Sequence, residues 1–245
     1  MKNFLSNLSL LIGILTFISC TEKHHPSHYI VSEDGQVLER WLNGRTTEVD
    51  MEGDWILNEV TIIGREAFAN QVNINAIKLP DNLEIIEDSA FKECVFLEEI
   101  TIPKGVTTIG SMAFMGCTSL TSITIPEGVT TIGSMAFMGC TSLTSITIPE
   151  GVTGIGVGAF LGCTSLISVT IPESVTVIGE TAFLSGSSLT SVTIKATTPP
   201  TLLCRSGCYM FSSDMLSIYV PKESVQAYKN HSDWKEYADK IKAIE

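Results

Sequence analysis

The sequence predicts a repeat solenoid of 23-residue coils, mostly β with short helical turns and a helical C-terminal cap. Three observations predict it. An Ala-Phe pair recurs with Phe at 68, 91, 114, 137, 160 and 183, so that every interval is 23 residues. Aliphatic residues recur in register with it: Ile63, Ile86, Ile109, Ile132, Ile155 and Ile178 before each Phe, and Leu79, Ile102, Ile125, Ile148, Ile171 and Ile194 after it. Residues 105–127 and 128–150 are identical.

The chain opens on Met1–Ser19, where Lys2 precedes an apolar run from Phe4 to Ile18 that is too short to span a bilayer comfortably. Ser19 followed by Cys20 resembles the cleavage site of a bacterial lipoprotein signal, although Phe17 stands where that signal has an aliphatic residue. The resemblance implies cleavage before Cys20, lipid on its thiol and amine, and an envelope location. Thr21, in place of an inner-membrane retention Asp, points to the outer membrane. The alternative is an ordinary secretory signal with a chance Cys. Residues 20–28 read as a tether. His24, His25 and His28 there are read as a solvated linker, because a flexible His cluster fixes no metal geometry.

Residues 29–59 form an N-terminal cap. Tyr29 to Leu38 carries Asp34-Gly35 between two strand-like runs, a hairpin signal. Residues 60–196 are the repeats. In Ser122-Ile123-Thr124-Ile125-Pro126, β-branched apolar and hydroxyl residues alternate at period two, which makes a half-buried strand. Pro126 lacks an N–H and ends it. Val129 to Gly133 is a second short strand-like stretch on the opposite side of the coil. Ser134 to Cys140 reads as a helical turn, too short to be a stable helix. One coil therefore turns Val129, Ile132, Ala136, Phe137, Cys140, Leu143, Ile146 and Ile148 inward, a set that only stacked coils can bury. Residues 197–245 are a degenerate last repeat and the C-terminal cap. Thr197 to Pro200 breaks the period, Ser217 to Pro221 is a final strand, and Val225, Tyr228, Trp234, Tyr237 and Ile241 fall at helical spacing. Trp41, Trp55 and Trp234 lie in the caps and are expected to seal the ends.

The run Leu120, Ile123, Ile125, Pro126, Val129, Ile132, Gly133, Ala136, Phe137 and Cys140 resembles the BspA-type leucine-rich repeats of bacterial surface proteins. The likeness covers Val60 to Ile194 over six units. It implies a right-handed leucine-rich repeat solenoid with a parallel sheet on its concave side. It also implies adhesion: binding of host matrix proteins or other bacteria at the cell surface.

Composition excludes other classes. The 15 Lys and Arg against 27 Asp and Glu give a net charge of −12, which argues against binding nucleic acid. No His and no Asp occurs between Ser89 and Ser213, so the central coils cannot build a His-based triad or relay. Duplicated coils also argue against a unique active site. No cofactor and no metal is expected, and the chain is not read as an enzyme. Cys94, Cys117, Cys140 and Cys163 are expected as a column of parallel buried side chains, which disulfides cannot bridge. Cys204 and Cys208 could form a disulfide in an exported chain; zinc through this pair with His231 is disfavoured. Asp81, Glu127, Glu150 and Glu173, interrupted by Lys104, line the turn after Pro. They read as a solvated turn, with shared calcium the alternative.

The candidate binding face is the outward side of the strands: Ser122, Thr124, Ser145, Thr147, Ser168, Thr170, Ser191 and Thr193. Hydroxyls offer donors and acceptors without charge. From Gly105 to Pro172 the only charged residues are Glu127 and Glu150, so this face is nearly neutral. Two readings compete with a lipid-anchored adhesion module. One is a structural or accessory envelope lipoprotein facing the periplasm. The other is ice or crystal binding by the Ser-x-Thr array, disfavoured by the expected curvature of the sheet.

Overall fold

Each 23-residue coil supplies two short strands on opposite sides, and stacking the coils turns these into parallel sheets. The computed structural model describes residues 26–204, 210–211 and 216–245. The signal segment, Cys20, His24, His25 and Cys208 lie outside the described residues. Ser122–Thr124 and Ser145–Thr147 each run exposed, buried, exposed, as alternating hydroxyl and β-branched residues require. They pair in parallel with Ile123 opposite Ile146, one full repeat apart. On the other side, Ile132 pairs with Ile109 below and Ile155 above. The Pro126 carbonyl accepts the Val129 amide at 3.1 Å, which closes the turn between the two strands. Pro149 and Val152 repeat the arrangement.

The sheet opposite the hydroxyl face has nine strands and runs unbroken from the N-terminal hairpin to Thr201–Leu203. The hydroxyl side is not one sheet but two. Three strands, Glu48–Asp50, Ala76–Lys78 and Glu99–Thr101, form the first, and six strands from Ser122–Thr124 to Ile241–Ala243 form the second.

The expected helical turn at Ser134 to Cys140 is not helical. Ala136, Met138 and Cys140 donate to carbonyls three residues back in their own coil, while Met135, Phe137 and Gly139 donate to Val157, Ala159 and Leu161 of the next coil. Alternate amides thus point along the solenoid axis. The two residues that flank each Phe at a distance of two carry positive φ in all six coils, for example Met135 at 55° and Gly139 at 74°. A helix would satisfy these amides within the coil; this ridge uses half of them to tie coil to coil.

The core is a continuous column. The eight residues expected inward, Val129 to Ile148, are all buried. Phe68, Phe91, Phe114, Phe137, Phe160 and Phe183 stack with ring centroids 5.1–5.4 Å apart and planes within 9°. Trp41 caps one end of the stack at 5.7 Å and Phe211 the other at 5.9 Å.

The N-terminal hairpin forms as expected from Tyr29–Val31 and Val37–Trp41, with Gly35 at φ 76°. Behind it, the buried Asp54 accepts from the Ile56 and Leu57 amides and from the Tyr29 hydroxyl. Trp41 and Trp234 are buried, but Trp55 is 65% exposed and does not seal the end. The C-terminal cap also departs from expectation. Among its described residues only Val225–Asn230 is α-helical, followed by a 3-10 turn at Lys235–Tyr237. Ile241 does not continue a helix. It begins the strand Ile241–Ala243, which pairs with Ser217–Val220 and becomes the last strand of the sheet. Tyr228 and Trp234 lock the cap by donating to the carbonyls of Ala196 and Pro200, each at 2.8 Å.

Candidate protein-binding face

Hydroxyls line several rows of the solenoid, and the structure divides them into two groups. On the flank, Thr118, Thr141, Thr164 and Ser187 each donate to a carbonyl one coil earlier, at 3.1–3.4 Å. Thr144, Thr153, Thr176 and Thr190 do the same in neighbouring rows. These hydroxyls staple the coils together. The strand-face hydroxyls do not. Among the described residues, those of Ser122, Thr124, Ser145, Thr147, Ser168, Thr170, Ser191 and Thr193 make no hydrogen bond within the chain. The first six residues are exposed and Ser191 and Thr193 are half-buried.

Strand pairing brings these eight residues into two straight rows. Ser122 lies opposite Ser145, and Thr124 opposite Thr147. Thr147 then meets Thr170, Ser168 meets Ser191, and Thr170 meets Thr193. The rows continue further than periodicity reveals. Ser191 pairs with Ser217, Thr193 with Tyr219, and Tyr219 with Lys242. An insertion after Ile194 shifts the register of Ser217 and Tyr219, which hides them from a 23-residue search. The signal that could have found them is their own alternation with the buried Ile218 and Val220.

At the other end the face changes chemistry. Glu48, Asp50, Lys78 and Glu99 occupy the three-stranded sheet, and an open groove of about 470 Å³ lies over it, with Glu52 and Asp81 also on its wall. Lys78 forms an ion pair with Glu52, and this contact holds its pKa above the ordinary value.

The other candidates resolve plainly. Cys94, Cys117, Cys140 and Cys163 are free and buried, and each thiol donates to the carbonyl of a Phe in the preceding coil at 3.1–3.2 Å. Burial pushes the Cys94 and Cys163 thiols up to about 12, and those of Cys117 and Cys140 well above their ordinary value. Neutral thiols already bonded to carbonyls are poor metal ligands and poor nucleophiles. In the turn column, Glu150 is paired with Lys195 at 2.9 Å. Among the described residues, no group of three or more His, Cys, Asp or Glu side chains could hold a metal ion. Cys204 is disulfide-bonded; with Cys208 outside the described residues, its pairing with Cys208 stays a proposal. His231 Nδ1 accepts the Asp233 amide at 3.2 Å.

Comparison with known proteins agrees with this architecture. The family model for the BspA-type leucine-rich repeat region matches residues 55–140 and 109–232, in six copies. No curated protein matches the chain in sequence. Among solved structures, a leucine-rich repeat protein of T. pallidum is 26% identical, with a TM-score of 0.68 over 86% of this chain and 97% of that one. A leucine-rich cell surface protein of Faecalibacterium prausnitzii is 28% identical, with a TM-score of 0.59 over 72% of this chain and 55% of that one. A leucine-rich repeat protein of Eubacterium ventriosum shares the fold at 23% identity and a TM-score of 0.59, over 78% of this chain and 50% of its own. This chain spans about half the length of the last two. The repeats, their register and the family match together place the chain in the BspA-type leucine-rich repeat family.

Proposed function

We propose that the chain is a lipid-anchored cell-envelope interaction module that binds a protein through the Ser/Thr strand face. One observation carries the reading: eight hydroxyls in two aligned rows are left without internal partners, while the neighbouring rows spend theirs on holding coils together. Solenoid proteins use such extended faces for extended partners. The partner class is a host matrix protein or another bacterial surface. The anchor is Cys20, and the destination is the outer membrane with the repeats facing outward. Similarity to the leucine-rich cell surface protein of F. prausnitzii supports export.

Six strands span five gaps of ~4.8 Å, about 24 Å in all. With the two rows about 7 Å apart along each strand, the patch covers on the order of 200 Å², small beside the roughly 800 Å² per partner of a standard interface. A single copy should therefore bind weakly, and many anchored copies would hold a surface through avidity. The test couples protease shaving of intact cells with pull-down by the soluble fragment Thr21–Glu245. Wild type is expected to capture a partner that Ser145→Arg/Thr147→Arg does not. Full protection from the protease would favour the periplasm-facing accessory role, and unchanged capture by the double variant would clear the face of a role.

A further inference from the structure

The hydroxyl rows do not end with the repeats; they run onto the C-terminal cap and change character there. From Ser122 to Thr193 each residue of the two rows is a small neutral hydroxyl. The cap then adds Ser217, Tyr219 and Lys242 in direct register. Tyr219 is the only aromatic residue in these rows and Lys242 the only charge. Lys242 is exposed and Tyr219 half-buried. The Lys242 ammonium donates to Ser217 Oγ at 2.9 Å, which holds the charge over the sheet and leaves the Ser217 proton free to donate outward.

Four residues thus lie side by side at one end of the face: Thr193, Ser217 and Tyr219, each with a hydroxyl, and Lys242 with its ammonium. Each can donate and one is charged, the complement of a carboxylate. The far end has the opposite character, because Glu48 and Glu99 line the groove there and repel an acid. The span from Ser122 to Lys242 is about 24 Å, the reach of roughly seven residues of extended chain at ~3.4 Å each. We propose that Thr193, Ser217, Tyr219 and Lys242 anchor an acidic side chain of an extended partner polypeptide, and so fix its direction along the hydroxyl rows. The anchor rests on the reading of those rows as a binding face.

The probe is a fluorescein-labelled octapeptide of alternating Thr and Asn that ends in Asp with an amidated terminus. A counterpart ends in Lys. Fluorescence anisotropy with the full chain at low salt reads both. The Asp peptide is expected to bind about tenfold more tightly than the Lys peptide, Lys242→Glu to invert that order, and Tyr219→Ala to weaken the Asp peptide about tenfold, as aromatic anchors do. Melting curves establish that both variants are folded. Equal binding of the two peptides, no binding of either, or indifference to Lys242→Glu overturns the anchor. Ser145→Arg/Thr147→Arg separates the two readings. If it abolishes binding while the cap variants do not, the face stands and the anchor falls. If the cap variants act and the double variant does not, the anchor is a site of its own and the face reading falls.

Discussion

Phe137 lies between Phe114 and Phe160, 5.4 Å from each ring and fully buried. Its neighbours are held by their own coils and cannot collapse into the space it fills. Phe137→Ala is therefore expected to destabilise the protein by about 3–5 kcal/mol, read from a denaturant titration. A loss under roughly 1 kcal/mol would remove the ring from the core. Two glycines of the same coil differ in an instructive way. Gly139 has φ 74° and room for a side-chain carbon, since an added Cβ would make only ordinary contact, at 3.9 Å, with Gly116. Gly139→Ala isolates the conformational penalty, about 1 kcal/mol. Gly133 has no positive φ, yet its Cβ would lie 2.5 Å from the Gly110 backbone. Gly133→Ala forces two coils apart and should lose about 3 kcal/mol. If the two variants melt together, the close approach of the coils is not rigid.

The column of thiols gives the solenoid a pH dependence at the scale of one row. Unfolded thiols ionise near their ordinary value of 9.0, whereas Cys94 and Cys163 hold their protons to about 12. A folded value raised above the unfolded one stabilises the fold fully below pH 9 and loses that contribution as pH rises from 9 towards 12. Urea midpoints across that window should fall, and Cys94→Ala/Cys163→Ala should flatten the fall. The C-terminal cap has a different weak point. Trp234 is buried and donates to the buried Pro200 carbonyl. Trp234→Phe keeps a ring but orphans that carbonyl, at about 1–3 kcal/mol, visible as a lower melting temperature.

These elements also show which parts of the structure were legible in the sequence. The strands, the inward set and the hydroxyl rows from Ser122 to Thr193 were legible because a fixed period fixes register. The turn ridge was not, because Met135 and Ala136 do not announce that one amide points to the next coil and the other back into its own. The cap was misread in its last segment. Ile241 falls at helical spacing with Tyr237 and Trp234, but the edge strand Ser217–Val220 needs backbone partners, and Ile241–Ala243 supplies them. Tertiary hydrogen bonding there overrides local periodicity. Lys242 is hidden from the face for the same reason, and Tyr219 by the insertion that shifts its register from Thr193.

At the scale of the whole molecule, charge and architecture separate. The acidic groups face solvent at the N-terminal end and around the caps, while the middle of the hydroxyl face is neutral. Electrostatic capture therefore belongs to the ends, and the middle is insensitive to salt. Each coil packs mainly on the coil before and the coil after, through ladders, threonine staples and the phenyl stack, and the surface ion pair of Glu150 with Lys195 reaches across two coils. That arrangement has a mechanical meaning for any load applied along the solenoid. Pulled from its ends, such a stack does not give way all at once; it peels. Each coil that lets go releases about 23 residues at ~3.4 Å, less the ~5 Å it spanned when folded, and so lengthens the chain by about 73 Å. An atomic-force trace should show evenly spaced steps of that size, with the two identical coils yielding at similar force, whereas a single large rupture would mean that the coils share their load. A load on such a stack is let out in steps, as by a shock absorber, and not held as by a rigid pin.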